Sequence, residues 1–592
     1  MVPCFDPAQA LDTCLCDAAQ LLPDFDSSFS PEIRPADPRF GHFQANGVLA
    51  FAKHCGRNPR LMAEQLLDAW QGQSSFRGDW VSAGIAGPGF INMTLSPEFL
   101  TSWLHTYRNK DGLEAAAESI FGGKTFVVDY PSPNTAKQMH IGHLRPIVIG
   151  EAIQRLLRFC GAKVVRDNHI GDWGANFGIL LMALKSSKRP LPEDDREALA
   201  VIEMHYREGT ALAEQSDDHL AKARQELALL QQGDRGNLML WKQINAISDR
   251  AFREIYERLG LKFDVELGES FYRDKVNRVY RELLEVGIAE ESDGALVVFH
   301  PGHPRFAKEA NRPQPFIIRK RDGTSNYASA DLATALYRVE HFHADAIIYV
   351  TDARQRDHFE QLFLTVKRWF KHAGQPIPRL EHIWFGTILG QNGKAIKTKS
   401  GNSLPLRELL DEAVERAYAI VSEKTPQWSE TERRHIAERV GISAVRYADL
   451  MQNRTADYVF SWEKLLSFEG HSAPYLLMAV ARIYSIFGKL KQRAEEEEGC
   501  VGTLQTTGEL ALASQIVLFP FVLKQTVREL LPHYLCTYLY DLAGAFSRFY
   551  SSDKVLVADA SIRARRLMLC ARTLCILETG LHLLGVETVK RM

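Results

Sequence analysis

The 592-residue chain has no long uninterrupted apolar run. Its most apolar stretch, Leu510 to Leu523, contains Gln515 and Pro520 and falls short of the roughly 20 residues that cross a bilayer, which predicts a core helix and no membrane anchor. Cysteine is scarce as well. Nine cysteines, an odd number scattered along the chain, form no disulfide framework, and Cys14-x-Cys16 has no second pair at zinc spacing, so ordinary thiols and no bound metal are expected. The first residues, Met1-Val2-Pro3-Cys4-Phe5-Asp6, lack the charged-then-apolar pattern of a signal peptide, and a cytoplasmic location is the expectation. Neither sign of charge dominates: 71 Lys plus Arg stand against 73 Asp plus Glu, for a formal net charge of -2. That balance excludes a histone-like polybasic protein and leaves only local basic patches for nucleic acid. No internal repeat is present, and a content of 45% apolar and 24% charged residues excludes a disordered or fibrous chain.

What is there is length enough for three or four domains at roughly 100 to 200 residues each. Apolar residues recur at helical spacing from Ala8 to Leu22 and from Val48 to Trp70, and Trp80 to Leu95 reads as two short strands about a turn at Gly87-Pro88-Gly89. These elements predict a small α+β domain over residues 1–112. The β-branched run Thr125 to Tyr130, bounded by Pro131 and Pro133, leads into helical periodicity from Gly142 to Cys160 and then into Lys163-Val164-Val165-Arg166. Strand, tight loop, helix and strand are the opening of a parallel, Rossmann-like sheet. Residues 185–260 turn charged and helical, an insertion between two halves of that sheet. The sheet resumes at Ala346 to Thr351, followed by a helix from Gln355 to Lys371 and a strand at His382 to Gly386, which places an α/β domain over 113–403. From Leu404 the pattern is helical. Tyr475, Ala479, Ile483, Ile486 and Leu490 follow a 4-4-3-4 spacing, so an all-α region over 404–592 is expected, with a bundle at about 465–592.

The segment that carries chemistry is Ser132-Pro133-Asn134-Thr135-Ala136-Lys137-Gln138-Met139-His140-Ile141-Gly142-His143. It lies where a strand ends and a helix begins, where backbone N–H groups and the helix dipole favour a bound phosphate. His140 and His143 can donate hydrogen bonds to phosphate oxygens, and Gly142 leaves room for an adenosine ring against the backbone. Taken alone, His-x-x-His is also compatible with a surface pair or half a metal site. Metal is disfavoured because no cysteine or carboxylate stands beside it at ligand spacing.

His140-Ile141-Gly142-His143 is the HIGH signature of class I aminoacyl-tRNA synthetases, and the longer run from Ser132 resembles arginyl-tRNA synthetases in particular. Gly268-Glu269-Ser270-Phe271-Tyr272, Tyr327-x-x-x-Asp331-Leu332-Ala333, Asp352-Ala353-Arg354-Gln355-x-x-x-His358-Phe359 and Gly470-His471-Ser472-Ala473-Pro474-Tyr475-Leu476 extend the resemblance over nearly the whole chain. It implies a monomeric enzyme that joins L-arginine to its tRNA through an arginyl-adenylate, with ATP as substrate and Mg²⁺ accompanying it. In that frame Lys137, His140, Gly142 and His143 serve ATP. Glu269 and Asp331 take the guanidinium, as carboxylates in fork geometry do. Tyr327 and Gln355 line the pocket, and Ser132 and Asn134 hold the amino-acid end. Outside the resemblance, Glu269 or Asp331 reads as an ion-pair partner or a cap.

Two stretches depart from the family pattern. Where a Lys-Met-Ser-Lys-Ser loop is expected stands Gly393-Lys394-Ala395-Ile396-Lys397-Thr398-Lys399-Ser400-Gly401, so Lys397 and Lys399 are the loop candidates, and Lys137 is expected to supply the missing charge. In Gly171-Asp172-Trp173-Gly174-Ala175-Asn176-Phe177-Gly178, Asn176 replaces the usual Gln. For tRNA, residues 561–592 hold six basic side chains, Arg563 and Arg566 among them, against Glu578 and Glu587, which fits either phosphate contacts or a solvated helix face; the resemblance makes the C-terminal bundle an anticodon reader, with Tyr475, Phe546 and Tyr550 as candidate stackers that equally fit the core. The N-terminal unit resembles the family's extra tRNA-binding domain. Phe43, Gln44 and Asn46 are its contact candidates, with His42 and Phe43 standing where Asp and Tyr are usual. The competing readings are another class I synthetase, which a pocket without Glu269 and Asp331 would favour, and a synthetase-like RNA-binding protein without catalysis.

Overall fold

A computed structural model describes residues 3–187, 190–311, 313–394, 396, 403–491, 494 and 502–592. The first helix, Pro7–Ala19, begins where the Asp6 carboxylate accepts hydrogen bonds from the N–H groups of Ala8 and Gln9, with Pro7 opening the first turn. The expected long helix from Val48 to Trp70 is two helices, Gly47–Cys55 and Pro59–Gln71. Gly56 ends the first in a left-handed conformation (φ 66°), and Asn58 with Pro59 starts the second. The strands Val81–Ala86 and Phe90–Leu95 form the predicted hairpin, and with Phe43–Ala45 and Ile33–Pro35 they complete a four-stranded antiparallel sheet.

The central sheet is parallel throughout. Its order is Arg379–Phe385, Ala346–Asp352, Thr125–Asp129, Lys163–Asp167. The two inner strands are buried along almost their whole length, as expected for strands covered by helices on both faces. Leu144–Phe159 is the crossover helix between the third and fourth strands in that order. The insertion is helical, comprising Asp195–Gln215, Asp217–Gln232 and Arg235–Arg258, and it packs against Ala175–Ser187. A three-stranded antiparallel sheet, Ala289–Ser292, Ala295–Val298 and Phe316–Arg319, was not anticipated from the sequence.

From Leu406 the described chain is almost entirely helical, ending in Ala560–Leu583. The apolar stretch there is longer than the sequence reading made it: Thr507–Glu529, 23 residues, has the length and composition to cross a membrane. It is broken into two helices, Thr507–Val517 and Phe519–Glu529, and its Leu512, Ile516, Phe519 and Leu523 are buried in the protein core. The N-terminal module is clamped onto this region. The helix Pro97–Thr106 packs on Thr507–Val517, and the Arg572 guanidinium donates to the Leu104 carbonyl at 2.7 Å.

Candidate functional site

Beyond the strand Thr125–Asp129 the chain turns sharply before the helix. Ser132 (φ 52°) and Ala136 (φ 65°) both occupy the left-handed region, a costly backbone for residues with a Cβ. Hydrogen bonds hold the turn in place. Ser132 Oγ donates to Asp129 Oδ1 (2.5 Å) and accepts from the His169 N–H (3.1 Å), while the Ala136 N–H donates to Ser248 Oγ (2.9 Å) on the insertion. Asn134 pairs with Gly171 as an isolated parallel bridge. A Cβ at Gly171 would lie 2.0 Å from Asn134 Oδ1, so a side chain there would push the Asn134 amide aside.

Asp129 is fixed from below. The Arg338 guanidinium, fully buried, donates to Asp129 Oδ2 (2.5 Å) and Asp167 Oδ2 (2.7 Å), two carboxylates that face each other across adjacent parallel strands. Its carbon lies 5.1 Å from the centre of the Tyr349 ring. One buried cation therefore holds two carboxylates at the carboxyl ends of the central strands, where open α/β sheets bind their ligands.

The two histidines brace one another in a short 3₁₀ turn, Ile141–His143. His140 Nδ1 accepts from the Gly142 N–H and His143 Nδ1 accepts from the His140 N–H, both at 3.1 Å, with the rings 4.2 Å apart. With both Nδ1 atoms accepting, each neutral ring carries its proton on Nε2 and presents it as a donor. Burial lowers the pKa of His140 and takes that of His143 down to about 4, the neighbouring imidazole and Lys137 adding to it, so both rings are neutral near pH 7. Gly142 is needed for a reason the sequence did not reveal: a Cβ there would meet His140 Cε1 at 2.8 Å. On its far side the turn is stitched to the segment after the lysine loop, Ile141 N–H to Leu404 O (2.8 Å) and Leu406 N–H to Met139 O (2.9 Å). Lys397 and Lys399 themselves lie outside the described residues.

Upstream of this turn, Asn134 lines a cavity of about 710 Å³. Asn176, Glu269, Tyr327 and His358 are also among the residues that line it. Asp331 sits behind His358, its carboxylate accepting from Nε2 at 2.7 Å, and the Tyr327 ring lies 4.8 Å from that imidazole. The Glu269 carboxyl is pushed up to about 7, first by burial, then by the negative charges of Asp331 and Asp172, with the nearby His169 pulling the other way. A half-buried carboxylate with a second negative charge nearby forms a natural seat for a cation. Gln355 is exposed on the turn after the strand Ala346–Asp352 and lies outside the lining, whereas Arg354, Asp357, His358 and Gln361 around it are part of it. His358 was visible in the sequence only as part of a motif, with no role attached.

Residues 111–462 match the family model described as class I (R) tRNA synthetase catalytic domain, residues 476–592 that of the DALR anticodon binding domain, and residues 8–95 that of the arginyl-tRNA synthetase N-terminal domain. The arginine–tRNA ligase of Chromobacterium violaceum is 40% identical over 564 residues, covering 95% of this chain and 96% of that one. That of Synechococcus sp. is 40% identical over 600 residues, 99% of each. The chain belongs to the arginyl-tRNA synthetase family. Among solved structures, arginyl-tRNA synthetase from Plasmodium falciparum superposes with a TM-score of 0.80 at 26% identity over 99% of each chain. The Thermus thermophilus arginyl-tRNA synthetase shares the fold, with a TM-score of 0.81 over 99% of this chain and 100% of that one at 24% identity.

As a member of the arginyl-tRNA synthetase family the chain uses ATP and carries RNA-contact candidates, and the structure redistributes those. Phe43 is buried in the N-terminal core, because the alternation of its strand turns Phe43 and Ala45 inward; it is not an RNA contact. Gln44 is half-buried and donates to Asn92 Oδ1 at 2.7 Å, and Asn46 precedes the helix Gly47–Cys55. His42, unusual for the family, works as a clasp. Its Nδ1 accepts from the Leu95 N–H and its Nε2 meets Ser514 Oγ, both at 2.8 Å. Arg566 is turned inward as well: its guanidinium pairs with Glu509 (3.1 Å) and Asp553 (2.9 Å), so it is not offered to phosphates. Arg563 donates to the Val557 and Ala558 carbonyls on a half-buried turn. Tyr475 packs on Tyr540 with ring centres 5.4 Å apart, Phe546 is core, and Tyr550 remains exposed.

Proposed function

We propose that the 710 Å³ cavity is the arginine site and that the 140–143 turn, downstream of Asn134, receives the triphosphate of ATP. The observation that carries this reading is the run of polar groups from the turn into the cavity. Asn134 and Asn176 form a common wall between the cavity and a narrow pocket holding Lys137. Arginine then lies with its amino-acid end toward Asn134 and Ser132 and its guanidinium toward Glu269, with Asp331 adding its charge from behind His358 and Tyr327 over it. A carboxylate oxygen of arginine attacks the α-phosphorus of ATP, the bond to pyrophosphate breaks, and its electron pair leaves with pyrophosphate. His140, His143, Lys137 and the lysine loop with Lys397 and Lys399 supply donors where charge grows on phosphate oxygens. A ribose hydroxyl at the tRNA 3′ end then attacks the arginyl carbonyl and AMP departs. Among the described residues no group of three or more His, Cys, Asp or Glu side chains is placed to hold a metal. The Mg²⁺ expected with ATP would arrive with the triphosphate and neutralise part of its charge. The exposed Tyr550 with Arg482 near it, Tyr475, and Gln44 with Asn46 are the surfaces we assign to tRNA. We further assign the enzyme to the cytoplasm as a monomer.

Pyrophosphate exchange with each of the twenty amino acids, with and without total tRNA, tests the reading. Exchange with arginine alone and only when tRNA is present is expected. Exchange with another amino acid would move the chain to a sister specificity, and silence would favour RNA binding without catalysis.

The pH dependence follows from Glu269. Only its ionised form pairs with a guanidinium, and its folded-state pKa lies at about 7, so the competent form is lost as pH falls through that value. With ATP saturating, kcat/KM for arginine is expected to fall about tenfold per pH unit below the transition, as for any single essential ionisation in the free enzyme. Glu269→Gln should abolish that limb. A flat profile from pH 8 to pH 6 would remove Glu269 from guanidinium recognition.

A further inference from the structure

We infer that Tyr206, on the insertion helix Asp195–Gln215, is a positioning residue that holds the Lys137 ammonium ready for ATP. This rests on the reading of Lys137 as a group that acts on the phosphates. Lys137 Nζ lies over the Tyr206 ring, 4.6 Å from its centre, and among the described residues no carboxylate pairs with it. The ring is itself held from its other edge, since Tyr206 Oη donates to Asn176 Oδ1 at 3.0 Å. One turn earlier on the same helix, Glu203 is close enough to act on the ionisation of His140, but its carboxylate is bound by Arg207 at 2.5 Å. The helix as a whole is pressed close. A Cβ at Gly209 would meet Ala183 Cβ and Ile179 Cγ2, both at 3.0 Å, on Ala175–Ser187, the helix that carries Asn176 in its first turn.

A ring face suits this task better than a carboxylate. It orients a cation without neutralising it, and it is a weaker partner than the oxygens of a triphosphate. Lys137 is thereby kept extended beside His140 and His143 and released when phosphate arrives. The arrangement also gives Asn176 a role: it fixes the ring that fixes the lysine, and it makes the helical insertion part of the activation machinery.

The test is single-turnover adenylate formation by the full chain with tRNA present, for Tyr206→Leu, Tyr206→Phe, Lys137→Ala and the Tyr206→Leu/Lys137→Ala pair. Tyr206→Leu is expected to lower the rate about tenfold with the KM for arginine unchanged, and Tyr206→Phe, which keeps the ring face, to retain most of the rate. In the Lys137→Ala background, Tyr206→Leu should cost nothing more. Equal losses with and without Lys137, a phenylalanine variant as slow as the leucine one, or an unaffected Tyr206→Leu would overturn the inference. A Lys137→Ala enzyme at full rate would overturn the underlying reading of Lys137, and this inference with it. If the leucine variant does not fold, Tyr206→Met, which keeps the packing volume without a ring, takes its place.

Discussion

Arg338→Met is expected to destabilise the catalytic domain so far that little folded enzyme survives at growth temperature. The substitution leaves Asp129 and Asp167 facing each other across adjacent buried strands with no cation between them. Removing one partner of a buried ion pair costs about 3–5 kcal/mol, because the remaining charge is left uncompensated. A whole domain has only about 5–15 kcal/mol to lose. The consequence reaches the site directly, since Asp129 holds Ser132 and Ser132 holds the His169 backbone. Urea denaturation followed by fluorescence, compared at the first transition, measures the effect. Adding Asp129→Asn and Asp167→Asn to Arg338→Met should restore much of the loss by removing the stranded charges. A variant that melts with the parent would show that the buried network contributes nothing.

The second large effect is on rate. His140→Ala should slow arginyl-adenylate formation about 10²–10³-fold, the cost of deleting one preorganised donor to charge that develops in the transition state. Its effect on stability should be near 1 kcal/mol, the value of the cap that His140 Nδ1 provides to the Gly142 N–H. The two readouts separate the roles. Single-turnover formation of the adenylate reports the first and a thermal melt the second, and an unchanged turnover with a lowered melt would reduce His140 to a structural cap. Because both imidazoles are already neutral near pH 7, no loss of activity between pH 7 and 8 should trace to them.

Much of the fold could be read in advance where a local pattern settles it. Thr125–Asp129 and Ala346–Asp352 are continuous apolar runs because both faces are covered, and the histidine turn announces itself by residue identity. The strands Ala289–Ser292 and Ala295–Val298 escaped notice because each has four residues and the first carries Glu290 and Glu291. Phe43 was misread although the signal was present: period-two alternation beside Ala45 points it into the core. Arg566 could not have been read correctly. Its partner Glu509 lies 57 residues away, and nothing local tells a paired arginine from one awaiting RNA. Arg338 poses the same problem at greater distance, since its two carboxylates stand 171 and 209 residues earlier in the chain. Of the pocket proposed for arginine, Glu269 and Asp331 stood out as motif carboxylates, while His358 and Tyr206, which contact Asp331 and Lys137, carried no pattern of their own.

The clamping of the N-terminal module also shapes how the molecule is made. Its contacts with the far end of the chain, His42 with Ser514 and Leu104 with Arg572, span 472 and 468 residues. A ribosome adding about 5–20 residues per second needs roughly half a minute or more to reach the second partner of each. Throughout that interval the helix Pro97–Thr106 waits without the helix Thr507–Val517 that covers it. The nascent module must therefore be kept from other sticky surfaces until residues 507–572 have been made. Pulse-chase proteolysis of stalled chains should show residues 97–106 protected only once the helix Thr507–Val517 has emerged.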